Sequence, residues 1–369
     1  MNSHKLLLCL VLCSLMTLLA GCGQDADSLE LQIPDWLNES TADQSTMDPS
    51  TIAATPTATA PPLERASLGL TVQVGDRFPL RKVVEQELRQ ASLDGNPQIS
   101  RSQLELLLGI TVDDVQPDRT RFSVRYDRVR YTHEIAGELV SYDSASPPAD
   151  VPPGARAYHG MVGDGFSFWI GADHQIAGVD GFREFLERSL RHTPPEHRQQ
   201  MLMDIEANSG ENGISDFIDN AVGLLPPRQG PSGVGEKVLG DSWKREQHIA
   251  RPVPMQIHTV YTLADIQDGV VGVTISGEVI PSTTLGHAGQ ANEQVRVTVK
   301  GGRSQGHCTI FRDTGLPKES RVERIVDMTV QMAGGIEFDQ QKRTVTTVEA
   351  YPPQRIVTTS GEQAGPRFR

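Results

Sequence analysis

Cysteine is almost absent from this 369-residue chain: Cys9, Cys13 and Cys22 fall in the first twenty-two residues, and Cys308 stands alone after them. Residues 23–369 therefore hold no internal disulfide and offer no cysteine pair to a structural zinc ion. The ten histidines do not cluster at ligand spacing. Thr132–Glu138, "THEIAGE", has the His and Glu of a helical zinc motif, but Gly137 stands where the second His belongs and the segment reads as strand. Ser167 in "GDGFSFW" lacks the flanking glycines of a nucleophile elbow. No phosphate-binding loop with its Lys and no dinucleotide fingerprint occurs, so no cofactor is expected. The longest apolar run, Leu6–Leu19, has fourteen residues, short of the about 20 that cross a bilayer core. Excess positive charge is missing too. Residues 65–369 carry 33 basic and 39 acidic side chains, and nucleic acid is not an expected partner.

The short apolar run has its own use. Lys5 precedes it, and it ends in Leu19-Ala20-Gly21-Cys22 before turning polar. That order fits an export signal, and the last four residues resemble the lipobox of bacterial lipoproteins. The resemblance implies cleavage between Gly21 and Cys22, a diacylglycerol on the Cys22 sulfur and an acyl group on the new amine. Gly23 rather than Asp follows, which in that family favours the outer membrane. The implied partner of residue 22 is thus the membrane itself, with two or more chains anchoring where one would bind only weakly.

Residues 22–64 come next, rich in Ser, Thr, Ala and Pro, with eight carboxylates and no Lys or Arg from residue 23 on. Such a segment cannot bury enough apolar surface to fold. It is expected to be a disordered tether reaching on the order of 40 Å. "LQIPDWL", Leu31–Leu37, is its one apolar piece.

From Leu68 onward the pattern is largely period two. "RFSVRYDRVRY" alternates Phe122, Val124 and Tyr126 against Arg121, Ser123 and Arg125. "GVVGVTISGEV" alternates Val271, Val273 and Ile275, and "QVRVTVKG" alternates Val295, Val297 and Val299. "RVERIVDMTVQM" alternates Val322, Val326, Met328, Val330 and Met332, with Arg324 interrupting. Half-buried antiparallel strands give this pattern. "FRDTGLP", Phe311–Pro317, reads as a hairpin turn with Gly315 at positive φ. Cys308 lies in such a strand beside His307, on the opposite face from it, and reads as a small buried apolar residue.

The middle of the chain differs. "DGFREFLERSL" puts Phe182, Phe185, Leu186 and Leu190 on one helical face, with Glu184–Arg188 and Glu187–Arg191 at i,i+4. "TPPEHRQQMLMDIEA" follows, with Thr193 as N-cap, and "ISDFIDNAV" aligns Ile214, Phe217, Ile218 and Val222. "LLPPRQGPSGVGEK" then breaks the pattern. "VGDRF" at Val74 and "LGDSW" at Leu239 echo each other, an apparent internal repeat. The expected fold is α+β: two tandem antiparallel β-rich domains with curved sheets, 65–225 and 226–352. A helical segment at about 180–223 joins them, and a flexible tail, 353–369, follows. "LLPPRQ…VLGDSW" with the sheet pattern after it resembles a family of uncharacterised bacterial envelope lipoproteins that carry a domain of unknown function. That resemblance implies no activity and supplies no catalytic residues.

One candidate ligand face remains. Arg121 and Arg125, with Tyr126 and Tyr131, could cradle an anion, although a solvated face with neighbouring carboxylates gives the same pattern. Asp164, Asp173 and Asp180 sit among glycines and read as turn residues. The chain is expected to be a lipid-anchored, non-enzymatic binder of a protein, lipid or glycan. A structural assembly component and a hydrolase with an unfamiliar site are the alternatives.

Overall fold

The computed structural model describes residues 64–91, 97–135, 137–174, 176–195, 198, 236–249, 255–287, 294–332 and 335–350. Gly21, Cys22, the tether, most of the 194–223 helical stretch, the 225/226 boundary and the tail lie outside the described residues. The described residues are mostly strand. In chain order these are β1 (Arg65–Ser67), β2 (Arg77–Gln90), β3 (Gln98–Val115), β4 (Arg119–Ile135), β5 (Glu138–Asp143), β6 (Gly165–Gly171) and β7 (Ile176–Asp180). The second half holds β8 (Glu236–Val238), β9 (Ser242–Ile249), β10 (Met255–Gln267), β11 (Val270–Ile280), β12 (Ser282–His287), β13 (Gln294–Phe311), β14 (Pro317–Gln331) and β15 (Glu337–Ala350). Two short helices, α1 (Arg156–Met161) and α2 (Phe182–Ser189), pack against the first half.

Where two tandem domains were expected, one continuous sheet of thirteen strands runs β7-β6-β4-β3-β2-β15-β14-β13-β11-β10-β9, with β5 on β4 and β12 on β13. Each half is an antiparallel meander. The two halves join edge to edge through β15 and β2, registered from Gln340↔Gln90 to Ala350↔Leu80. The physical reason is that a free edge strand is an unsatisfied row of amides and carbonyls. The first strand of one half and the last of the other satisfy each other.

The echoed Gly-Asp motifs form one turn twice. Gly75 N–H donates to the Val112 carbonyl (2.8 Å) and Val112 N–H to the Asp76 carbonyl (2.9 Å), while Gly240 N–H donates to Leu263 (2.8 Å) and Leu263 N–H to Asp241 (2.9 Å). The Asp76 and Asp241 carboxylates accept from the amides three residues earlier, Gln73 (2.8 Å) and Val238 (2.9 Å). A β-bulge follows at the same place in each half, after Val112 and after Leu263.

The sheet is strongly rolled. Eleven strands at about 4.8 Å spacing would span nearly 50 Å if flat. Yet Arg245 Nη2 on edge strand β9 donates to the His174 carbonyl in the β6–β7 turn at the other edge, 3.2 Å away. The segment after β1 crosses the inner face. Ala66 and Leu68 are 1% exposed against Trp243, Leu263 and Ile310, while Leu70 and Val72 pack on the core of the first half. The Thr71 amide ties this strap to the Thr314 carbonyl at 2.9 Å. The expected hairpin turn lies there: Gly315 has φ 74, and a Cβ on it would stand 2.3 Å from the Gly69 carbonyl oxygen. Only glycine fits both demands.

Candidate functional site: the inner face of the sheet

Strand register assembles a site that no single motif announces. Side chains directly opposite on neighbouring antiparallel strands share a face, about 5 Å apart. Following one row from β9, Arg245 faces Thr259, Thr259 faces Gly277, Gly277 faces Ser304 and Ser304 faces Arg324. The same row continues through Thr344, Gln86 and Ser102 to His133 on β4. Thr259 and Ser304 are buried, and Arg245, Arg324, Thr344, Gln86, Ser102 and His133 are half-buried. A belt of polar side chains, interrupted by Gly277 on β11, thus crosses the inner face of nine strands.

The rows beside the belt are mainly apolar. On one side run Trp243, Tyr261, Ile275, Val84, Leu104 and Tyr131, and on the other Ile257, Val279, Val326 and Leu88. The belt separates two clusters of the core, one around Leu263, Val273 and Ile310 and one around Ile257, Val299 and Met328. Trp243 and Tyr261 stack beside it with ring centroids 5.7 Å apart.

Charge is divided between the two faces. In the belt and the two rows on either side of it, Lys82, Arg245, Arg324 and Lys342 point inward, and each is engaged. The inward carboxylate in those rows among the described residues is Glu138, on the exposed rim. The outer face carries a lattice of ion pairs. Arg128 and Arg130 grip Asp143 at 2.5 and 3.1 Å, Arg81 bridges Glu105 and Glu349 at 2.9 and 3.1 Å, Arg89 and Arg101 hold Glu87 at 2.5 and 3.0 Å, and Arg343 reaches Glu323 at 2.8 Å. These arginines hold the Asp143, Glu105, Glu87 and Glu323 carboxyls below the usual carboxylate range. A face so charged is built for water; a barrel strand facing lipid presents an apolar band.

The sequence-derived anion face is not assembled. Asp127 is an extra residue in β4, a bulge between the Tyr126↔Leu108 and Arg128↔Leu107 pairs. It keeps Tyr126 and Tyr131 inward, 1% and 5% exposed, and Arg121 and Arg125 outward. Arg121 pairs with Asp180 at 3.3 Å and lies over the Trp169 ring; Arg125 pairs with Asp127 at 3.8 Å. Burial raises the Tyr126 phenol and pushes Tyr131 up to about 12, which marks both as core.

Asp164, Asp173 and Asp180 are not brought together as paired acids. Asp164 takes a bidentate grip from Arg188, 2.5 and 2.8 Å, and accepts from the Gly165 amide, while Asp180 accepts from the Trp169 indole. Arg188 therefore does not pair with Glu184, and Glu187 pairs with Arg183 at 3.2 Å rather than with Arg191. Cys308 is 1% exposed on the inner face, and burial pushes its thiol far up, against any role as nucleophile.

Two histidine pairs remain. The Ser100 hydroxyl and His133 Nε2 are 3.0 Å apart at the belt, and burial lowers the His133 imidazole. This resembles half of a nucleophile–base dyad, but β3 is paired on both sides here, with β2 and β4. Ser100 is thus a ladder residue, registered with both Leu88 and Ile135. At the edge, the Tyr142 hydroxyl meets His159 Nδ1 at 2.7 Å, and the His159 and His192 rings lie 4.8 Å apart. Burial, His159 and the neighbouring arginines lower the His192 imidazole.

The belt escaped the sequence reading, which noted Arg324 only as an interruption. Its signal is there in retrospect: each of these strands carries at least one polar or small residue in its inward phase, and registered hairpins bring one from each into a single row.

Residues 118–317 match a family of proteins of unknown function (DUF6263). No curated protein matches the chain in sequence. Among solved structures, lipovitellin, described for its lipid–protein interactions, aligns over 77% of this chain and 26% of its own, with 10% identity and a TM-score of 0.40. The chain thus spans about a quarter of that protein. An outer membrane channel from Pseudomonas putida F1 aligns over 76% of this chain and 97% of its own, with 5% identity and a TM-score of 0.20. The Salmonella typhi OmpF–daunomycin complex aligns over 75% and 98%, with 10% identity and a TM-score of 0.17. At these scores none of the three carries an argument about this chain.

Proposed function

The chain belongs to a family of proteins of unknown function, so membership brings no activity with it, and we propose from the sheet itself that this is a non-enzymatic ligand-binding protein of the bacterial envelope. It is tethered by lipid on Cys22, at the outer membrane. The observation that carries the binding reading is the inversion between faces. Ion pairs cover the outside of the rolled sheet, while the inside combines apolar rows with one polar belt. A concave, mostly apolar surface with a few convergent polar groups is the usual make-up of a small-molecule site. The Leu19-Ala20-Gly21-Cys22 sequence supports the anchor. The suppressed Cys308 thiolate disfavours hydrolysis through that residue.

The test is isolation of the full chain from membranes, followed by intact mass and by solvent extraction of bound molecules. A mass for a chain beginning at Cys22 plus acyl groups is expected, together with a stoichiometric apolar or amphiphilic ligand. Thr344→Phe, which fills the middle of the belt, is expected to reduce that ligand severalfold while the circular dichroism of the sheet is kept. A chain cut elsewhere without lipid would sink the anchor. A chain that carries nothing, and whose Thr344→Phe form is unchanged in every extraction, would sink the binder and favour an assembly component.

A further inference from the structure

We infer that the seam between β7 and β9 docks an extended segment of another protein chain. The segment adds as a twelfth strand, with small or β-branched residues facing inward and a cation opposite Glu246. The site lies at the edges of the sheet, so its failure leaves the inner-face reading untouched.

Parity is the first support. The path β7-β6-β4-β3-β2-β15-β14-β13-β11-β10-β9 has eleven strands, and every pairing along it is antiparallel. Its two end strands therefore run in the same direction. A twelfth strand of opposite direction between them is antiparallel to both and closes the sheet. The Arg245 to His174 hydrogen bond reaches across the gap with one arginine side chain, and two strands that flank a third stand about 10 Å apart.

The internal echo is the second. The second half gives the path β9, β10, β11, β13, β14 and β15, six strands, and the first half gives five, β2, β3, β4, β6 and β7. Gly75-Asp76 leads into β2 as Gly240-Asp241 leads into β9. β15 covers the β2 edge, whereas no ladder covers the outer edge of β9 among the described residues. The hydrogen bonds of Gly240 and Leu263 at the turn fix the alternation that follows. Trp243 and Arg245 turn their amides to β10, and Lys244 and Glu246 turn theirs to the seam. Such edge groups bind an extended segment, and alternate side chains select it.

The β15–β2 joint shows which side chains fit. With the two Gly-Asp turns aligned, Arg245 stands in the place of Leu80, Glu246 in that of Arg81 and Gln247 in that of Lys82. The partners of those three on β15 are Ala350, Glu349 and Val348. A small residue opposite Arg245 leaves its bond to His174 in place. At the middle position the charge is reversed. Arg81 grips Glu349 at 3.1 Å, so the segment that meets Glu246 carries Lys or Arg there.

The probes are a labelled peptide of residues 343–350, RTVTTVEA, and the same peptide with lysine in place of its glutamate. Fluorescence anisotropy with the full chain in a non-ionic maltoside is expected to show uptake of both, the lysine form about threefold tighter, as an exposed ion pair gives. Glu246→Pro removes one seam-facing amide, at a kind of position where an edge strand tolerates proline. It is expected to weaken both peptides about tenfold. Glu246→Ala keeps the amide, and is expected to keep the binding and lose the preference for lysine. Equal urea midpoints of the two variants control for folding, and N-methylation of alternate peptide amides repeats the test without touching the protein.

Uptake unmoved by Glu246→Pro and by N-methylation would place the peptide elsewhere and overturn the inference. No uptake by a monomeric chain would overturn it as well. No uptake by a dimer that Glu246→Pro breaks would give the edge to a second copy instead. Equal affinity for the two peptides would overturn the cation and leave the added strand.

Discussion

Among the described residues, His133 and His192 are the histidines whose surroundings lower the imidazole. Both imidazoles are lowered by burial, and His192 also by His159, Arg191 and Arg198. Above their ordinary value of about 6.5 both are neutral whether the chain is folded or not, and stability is complete. As pH falls through 6.5 the unfolded chain takes up protons that the folded one refuses, so stability falls with pH. The gripped carboxylates act later. Those of Asp143, Asp164 and Glu105 are lowered, so their contribution is present above their ordinary values near 4 and is lost as pH drops toward the folded ones. Thermal unfolding is therefore expected to show a shallow loss of midpoint between pH 7 and 5 and a steeper one below 4. His133→Asn, which leaves Ser100 a hydrogen-bonding partner, is expected to flatten the upper phase only. An unchanged slope between pH 7 and 5 would remove His133 from this role.

Strand β13 shows what one element must do to make the inner face. Its register on β14 shifts at Lys300, and Gly302 then approaches β14 so closely that a Cβ would stand 2.2 Å from the Ile325 carbonyl oxygen. Gly302→Ala is thus expected to push the two strands apart and destabilise the fold by about 1–3 kcal/mol, read as a lower urea midpoint. Alanine at Gly240, where nothing stands within 4 Å but φ is 90, is expected to cost about 1 kcal/mol through backbone strain alone. Equal effects at the two sites would argue against the crowding at β13.

The same elements explain what could be read in advance. Phe122, Val124, Val271, Val273, Val299, Val326 and Met328 alternate in sequence and are buried, because a strand wet on one side must follow period two. The apolar face of Phe185 and Leu186 on α2, with Leu190 in the turn that follows, was legible for the analogous helical reason. Bulges were not. One extra residue, Asp127, reverses the phase, so an arginine-and-tyrosine run that looks like one surface divides between two faces. The i,i+4 pairs failed because Arg188 has a better partner, a carboxylate that accepts two hydrogen bonds from across the fold. The belt stayed hidden because it is a property of register among nine strands, which no single window contains.

At the scale of the whole molecule, the internal echo explains the architecture better than tandem domains do. Two meanders that begin with the same Gly-Asp turn would each leave free edges. Here β2 and β15 cover one pair of edges, and the roll brings the other pair, β7 and β9, into proximity. No ladder joins β7 to β9 among the described residues. Among the described residues, the Arg245 to His174 hydrogen bond spans the seam, with His174 buried and at φ 59. A non-glycine residue in that conformation costs of order 1–3 kcal/mol and persists only where its surroundings hold it. Arg245 also begins the polar belt, so closure of the sheet and the chemistry of its inner face share one side chain. Arg245→Ala is therefore expected to loosen the seam before it loosens the sheet. Amide exchange should quicken about tenfold in β9 and around the β6–β7 turn, while the β13–β14 centre keeps its protection, because local opening draws on the least buried pairings first. If every strand exchanged faster together, the residue would be acting on global stability and not on the seam. If none did, the edges would be held by something other than this bond.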